Sequence, residues 1–342
     1  WSCVWGRRER GARTFHSLTP LSNRFTLAEQ GPRVFVMTEN QLILHQYDIS
    51  PFSQKAQKMM GLKGLDWLSV EMPLIAPKPD VEALTGGYRG TPVLQVGADV
   101  FIDNWMIARA LDSYARAAPL NPRGPLEAAA VYAWCERLFI PLLHSAFATY
   151  KSQWEPDFLA DRKRVFPDVD FDSLYIADPD RRSQVSAFLG EAAAQLGRGA
   201  PFLGGETPDS GDVHVWGMVW MIYSALPDLV PLLERYEELT RWHVRMEALG
   251  RGQRTDVGFQ VAWDALRDGG FQPLPETPME EPLRDWLGAT VAVSAGSADR
   301  GVARGRFIAV DQHQVVIATT PLDGVEAHVW FPRFGYHVGL AS

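Results

Sequence analysis

A single proline constrains this chain more tightly than its composition does. In GTPVLQVGADVFIDNW (Gly90 to Trp105), Pro92 lacks the N–H that a strand interior must donate, so it belongs where a strand begins. Val93–Val96 then reads as a strand, Gly97-Ala98-Asp99 as a turn, Val100–Ile102 as a second short strand, and the residues from about Asn104 as a helix. Upstream, the β-compatible run Leu42–Tyr47 hands over to a helix at Pro51, which suits a first helical turn because an N–H there would have no partner. Ser50 is the natural cap. Ala56, Met59, Met60 and Leu62 supply one apolar face, Gly61 and Gly64 mark its end, and Leu68–Met72 follows as a strand. The order β-α-β and then β-β-α predicts a compact α/β domain over residues 41–115, with PLIAPKPD as a loop and Gln95 facing outward from its strand.

The period changes twice further on. Leu126, Ala130, Trp134, Leu138 and Leu142 recur at helical spacing, with Pro141 expected to kink or split the helix. RRSQVSAFLGEAAAQLG and LLERYEELTRWHVRMEALG read as further amphipathic helices, the second stopped by Gly250 and Gly252. Asp209 and Asp212 form a capping-box-like start to a helix that is apolar almost all round, and therefore central. Residues 116–270 are thus expected to be all-helical. GGFQPLPETPMEEPL reads as a linker, and from 285 short β-branched runs with turn chemistry such as Asp323-Gly324 predict a small β domain of four or five strands over 285–342. Residues 1–36 show no sustained period, and Arg7, Arg8, Arg10, Arg13, Arg24 and Arg33 stand there against Glu9 and Glu29. They are expected to be a disordered leader or a start-site artefact, with the folded protein beginning near Met37.

Bulk properties exclude several classes of function. A net charge of -8 disfavours a nucleic-acid partner, whose binding rests on clustered Lys and Arg, and the C-terminal β region carries no basic face. Every apolar run is interrupted well before the roughly 18 residues that a membrane span requires, so no membrane role is expected. Cys3 and Cys135 are the only cysteines and no His or Cys cluster has metal-ligand spacing, which argues against disulfides and metal and for a reducing cytoplasm.

Three motifs, in this order, resemble the thioredoxin-like N-terminal domain of the glutathione transferase superfamily. YDISPFSQKAQ matches the first strand and catalytic-helix start, GTPVLQVG the cis-proline loop, and FIDNWMIARALD the acidic-polar pair at the third helix. PDSGDVHVWGMVW and RWHVRMEALG are similar to stretches of the family's helical C-terminal domain, so the resemblance covers residues 41–250. The extra β region is similar to an appendage in a bacterial subgroup of these proteins. The resemblance implies an α/β thioredoxin-like domain, then an all-α helical bundle, then a small C-terminal β half-barrel. It also implies glutathione as co-substrate, no metal and a homodimer.

For individual residues, the resemblance implies a backbone pairing site for glutathione at Pro92 and Val93, and Asp103 near the glutathione amine. Asn104 stands where the family more often has Ser or Thr on the γ-glutamyl carboxylate. Lys78 meets the glycyl carboxylate or is a solvated loop lysine. Ser50 aligns with the attacking cysteine of the cysteine-type classes and the serine of the serine-type classes. A hydroxyl at a helix N-terminus can hydrogen-bond a thiolate and lower its pKa while also capping the helix. Ser53, a turn inward, and Tyr47, a phenolic donor, are reserves. Cys135, His144, His214 and His243 read as core or surface residues, and Asp212 as a folding determinant. The leading expectation is conjugation of the glutathione thiolate to a small electrophile, or related isomerase or dehalogenase chemistry. The alternative is a non-catalytic binding or scaffold protein with the same fold.

Overall fold

A computed structural model describes residues 41–114, 118–296 and 300–341. The expectations for residues 1–36, and for a start near Met37, lie outside them. The first strand, β1 (Leu42–Gln46), leads into α1 (Pro51–Leu62), β2 (Asp66–Glu71), a short α2 (Pro79–Thr85), β3 (Val93–Val96), β4 (Asp99–Ile102) and α3 (Asp103–Tyr114). β1 pairs parallel with β2 and antiparallel with β3, which pairs antiparallel with β4. This is the thioredoxin-like arrangement. Its one addition to the sequence reading is α2, which Pro79 starts and Gly86 ends in the left-handed conformation (φ 73°).

The helices α4 (Pro125–Thr149), α5 (Pro156–Val165), α6 (Pro179–Leu196), α7 (Ser210–Ala225), α8 (Val230–Leu233) and α9 (Glu237–Ala248) follow. α4 is assigned as one helix through Pro141 and is not split. α7 carries the reciprocal capping box of Asp209 and Asp212 and is buried along nearly its whole length. The stretch expected to be a single helix up to Gly250 is divided between α8 and α9. The all-helical expectation for 116–270 also needs correction: β5 (Gln253–Val257) is a strand, paired parallel with β2, and only then does α10 (Gln260–Asp268) follow. Its polar sequence QRTDV hides a strand because β5 is the sheet's outer edge and most of its residues face solvent.

The C-terminal β region comprises β6 (Thr290–Ala295), β7 (Val302–Val310), β8 (Gln314–Leu322), β9 (Val325–Pro332) and β10 (Tyr336–Leu340). These pair antiparallel among themselves, and β9 also pairs parallel with β4, Phe101 lying opposite Trp330. The result is one ten-stranded sheet, ordered β10-β6-β7-β8-β9-β4-β3-β1-β2-β5. Alternation sorts the side chains to its two faces. Leu42, Leu44, Leu94, Val96 and Phe101 join the helical core, whereas Val93, Val100 and Ile102 join a second core with α2, α10 and the C-terminal strands. Gln95, expected to face outward, is fully buried on this second side. It donates to the Ala262 and Gly97 carbonyls at 2.9 Å and lies 3.0 Å from His45 Nε2, because α10 covers a face the sequence had left open.

A glycine pair allows β7 to lie against the loop before Pro92. Arg89 donates its backbone N–H to the Arg300 carbonyl, and Arg304 donates to that of Gly86, both at 2.8 Å. A Cβ on Gly87 (φ 119°) would stand 2.5 Å from the Val302 carbonyl oxygen, so only glycine permits this approach. Among the described residues no helix is long and apolar enough to cross a membrane.

Candidate functional site

The turn between β1 and α1 is held by polar side chains. Asp48 Oδ1 accepts from Gln46, Gln57 and Arg254 at 3.2, 3.0 and 2.7 Å, and Gln54 donates to the Asp48 carbonyl at 2.8 Å. Ser50 thereby takes the extended N-cap conformation (φ -80°, ψ 120°), and its Oγ accepts the Ser53 N–H at 3.3 Å. Among the described residues no acceptor takes the Ser50 hydroxyl proton. Ser53 is fully buried and its Oγ has no partner there.

α1 is buried almost all round, not on one face, because α7 packs over it. Lys55 pairs with Glu136 at 3.3 Å, and Lys58 donates to the Met246 carbonyl at 2.8 Å while its Nζ sits 4.4 Å from the Trp216 ring.

The Thr91–Pro92 peptide bond is cis. Val93, the residue after it, lies opposite His45 of β1 on one side and Ile102 of β4 on the other, so no free strand edge exists there for a peptide. The unused polar group at this loop is the buried Thr91 Oγ1, which has no partner among the described residues.

Asp103 opens α3 in the left-handed conformation (φ 78°), a strain that surrounding bonds must hold. Its Oδ1 accepts the Trp105 N–H at 2.9 Å and the Tyr132 hydroxyl at 2.8 Å, and its Oδ2 accepts the Tyr336 hydroxyl at 3.3 Å. Burial pushes the phenols of Tyr132 and Tyr336 well above the usual range, and the nearby Asp103 charge adds to this, so both stay protonated as donors. Asn104 is buried. Its Nδ2 donates to the Phe52 carbonyl at 3.1 Å, leaving Oδ1, an acceptor, without a partner. Nδ2 carries a second N–H, so Asn104 keeps one donor for the carboxylate that it was expected to meet.

Lys78 is not a solvated loop lysine. It is buried, its Nζ lies 5.0 Å from the Tyr47 ring, and burial together with the Arg162 charge lowers its pKa to about 8. Burial raises the Tyr47 phenol, which suits a hydrogen-bond donor and not a phenolate base. Arg162 of α5 faces Tyr47 from the helical region. Arg300, just before β7, lies 5.7 Å from the Phe52 ring and faces Tyr88, Tyr336, Asp103 and Tyr132.

The structure brings Lys78 against Tyr47, whose carbonyl accepts the Ser50 N–H, and ties Asn104 to the Phe52 carbonyl in the first turn of α1. The sequence reading missed Arg162, Arg300, Tyr132 and Tyr336. Each comes from a segment distant in the chain, and none carries a local motif. Cys135 is fully buried and its thiol is pushed up to about 12, chiefly by burial, so it is not a thiolate nucleophile at neutral pH. His214 is buried with Nδ1 unpartnered, and burial holds its pKa well below the usual value. Among the described residues no group of three His, Cys, Asp or Glu side chains could hold a metal ion.

Comparison with known proteins bears on this arrangement. The model of the glutathione S-transferase N-terminal domain matches residues 44–119. A GST-like protein from Pseudomonas syringae superposes with a TM-score of 0.71 at 28% identity, covering 88% of this chain and all of that one. A tau class glutathione S-transferase from mango (TM-score 0.46, 15% identity, 62% of this chain and 90% of that one) is more distant. So is a theta class enzyme from Xanthomonas axonopodis pv. citri with glutathione bound (0.39, 18%, 60% and 91%). No curated protein matches the chain. Residues 44–119 thus match a glutathione S-transferase N-terminal domain, and the chain at large is similar to a bacterial GST-like protein.

Proposed function

We propose that the chain is a glutathione-dependent transferase that joins the glutathione thiolate to a small electrophile. The thiol loses its proton to solvent, and sulfur forms a bond to the electrophilic carbon. A leaving group then departs with its electron pair, or an activated double bond takes up a solvent proton. One observation carries this reading: Ser50 caps α1 with its oxygen, while its hydroxyl proton goes to no acceptor among the described residues and can be donated to a thiolate. The helix N-terminus favours the same negative charge. Lys78 is a cation for the glycyl carboxylate, Thr91 and Pro92 face the peptide, and Asp103 takes the ammonium group. Dehalogenase or isomerase chemistry would use the same thiolate. A homodimer in the cytoplasm belongs to the same proposal.

A non-catalytic binding protein is the second reading. It is favoured by the Tyr132 and Tyr336 hydroxyls already occupying Asp103.

Calorimetry with glutathione and conjugation of chlorodinitrobenzene by wild type and Ser50→Ala test both. Loss of the hydroxyl is expected to raise the bound thiol pKa by about one unit, so the rate at pH 6.5 falls about tenfold and recovers as pH rises. Glutathione binding without conjugation would leave the second reading standing. No binding at millimolar glutathione would sink both.

A further inference from the structure

For the carboxylate of a γ-glutamyl group, Asn104 of the N-terminal domain offers a neutral donor only. One Nδ2 hydrogen of Asn104 goes to the Phe52 carbonyl, which leaves one neutral N–H and the Oδ1 acceptor. Asp103 is an acceptor as well, with hydrogen-bonding capacity left on Oδ2 beyond the Tyr336 hydroxyl. The acceptors suit an ammonium group, while a charged, paired donor holds a carboxylate better than one neutral N–H does.

Arg300 supplies donors at this place. Its guanidinium lies 5.7 Å from the Phe52 ring centroid, and Phe52 both follows Pro51 in α1 and receives the Asn104 amide. It faces Asp103, Tyr88, Tyr132 and Tyr336, yet among the described residues no carboxylate comes within 4.0 Å of it as an ion-pair partner. Its backbone is anchored, the carbonyl accepting the Arg89 N–H at 2.8 Å in the loop before Pro92. The half-buried guanidinium hydrogen-bonds the Tyr88 side chain and, with five N–H groups, keeps further donors for a carboxylate. A planar carboxylate from a ligand would complete it through paired N–H donors.

We propose that Arg300 and Asp103 form a clamp for an α-amino-acid zwitterion, the C-terminal β region supplying the guanidinium for its carboxylate and α3 the acceptor for its ammonium. The clamp rests on the glutathione reading above, and its ligand is the γ-glutamyl end of that tripeptide. It makes the C-terminal strands part of the binding site. Arg300 is a specificity-determining residue here and takes no part in the sulfur chemistry.

The test compares three ligands by calorimetry: glutathione, γ-aminobutyryl-cysteinyl-glycine, which lacks the α-carboxylate, and glutaryl-cysteinyl-glycine, which lacks the ammonium. Wild type is expected to bind the decarboxylated analogue roughly 10- to 100-fold more weakly than glutathione, as for a lost charge-assisted pair. In Arg300→Gln glutathione should weaken by a similar factor and the two ligands become equal, while the penalty for glutaryl-cysteinyl-glycine persists. Arg300→Lys should restore part of the discrimination. The wild-type comparison needs no variant, so a misfolded Arg300→Gln does not blunt the test. Equal wild-type affinity for glutathione and the decarboxylated analogue would overturn the clamp alone. Failure of wild type to bind glutathione would remove the glutathione reading and the clamp with it.

Discussion

Replacing Asp99 by Asn probes the junction that joins the C-terminal strands to the thioredoxin-like sheet. Asp99 is fully buried at the start of β4. Its carboxylate accepts the Gln272 N–H at 2.6 Å, the Trp330 indole N–H at 2.7 Å and the Tyr114 hydroxyl at 3.4 Å. It thus ties β4 to β9, to α3 and to the segment after α10. Burial outweighs these donors and raises its pKa to about 6, from 3.8 in an unfolded chain. Between those values the folded state binds the proton and the unfolded state does not. The contribution of Asp99 to stability is therefore complete below 3.8 and is lost as pH rises through about 6. At pH 5, about one unit below the folded value, that contribution is ~1.4 kcal/mol, and at pH 7.5 it is near zero. Asn has the same shape and cannot titrate. Burial lowers the pKa of His45 to about 4, which acts in the opposite sense as acid is added, but this is common to both proteins and cancels from the difference. Urea denaturation followed by far-UV circular dichroism at pH 7.5 and 5.0 should show wild type gaining ~1.4 kcal/mol on Asp99→Asn at the lower pH. A gap that stays constant, or that shifts toward the variant, would refute the account of a carboxyl held protonated by burial.

Two further outcomes can be checked separately. Asp212→Ala strands the Leu203, Gly204 and Asp209 backbone N–H groups and the Trp242 indole N–H, which the carboxylate now accepts at 2.7, 2.9, 3.2 and 2.7 Å. It should cost about 4 kcal/mol or more by thermal denaturation, and a loss below about 1 kcal/mol would show that Asp212 is not the folding determinant of the helical region. If Lys78, with its pKa of about 8, takes the glycyl carboxylate, affinity for S-methylglutathione should fall as pH rises through 8, since only the ammonium form attracts the carboxylate. Calorimetry from pH 7 to 9 should show a fall of about tenfold in wild type and little change in Lys78→Arg; the same slope in both would dismiss Lys78 from the site.

Local chemistry in the sequence decided where the elements begin. Ser50 before Pro51, Pro92 before Val93, and Asp209 with Asp212 each solve a backbone hydrogen-bonding problem within a few residues, and the structure shows those starts where that reasoning put them. Alternation and helical spacing likewise made the α/β, helical and β segments legible in chain order. Pairing between distant segments was not legible. β5 is polar because it is an outer edge, Gln95 is buried because α10 happens to cover it, and β9 joins β4 through backbone groups that carry no side-chain signature. The same limit applies to the site. Ser50, Asp103 and Lys78 of the proposed site lie in short motifs, but Tyr132, Arg162, Arg300 and Tyr336 come from α4, α5, the residues just before β7 and β10. Only the three-dimensional packing brings Tyr132 and Tyr336 to Asp103, Arg162 to Tyr47 and Arg300 to the Phe52 ring.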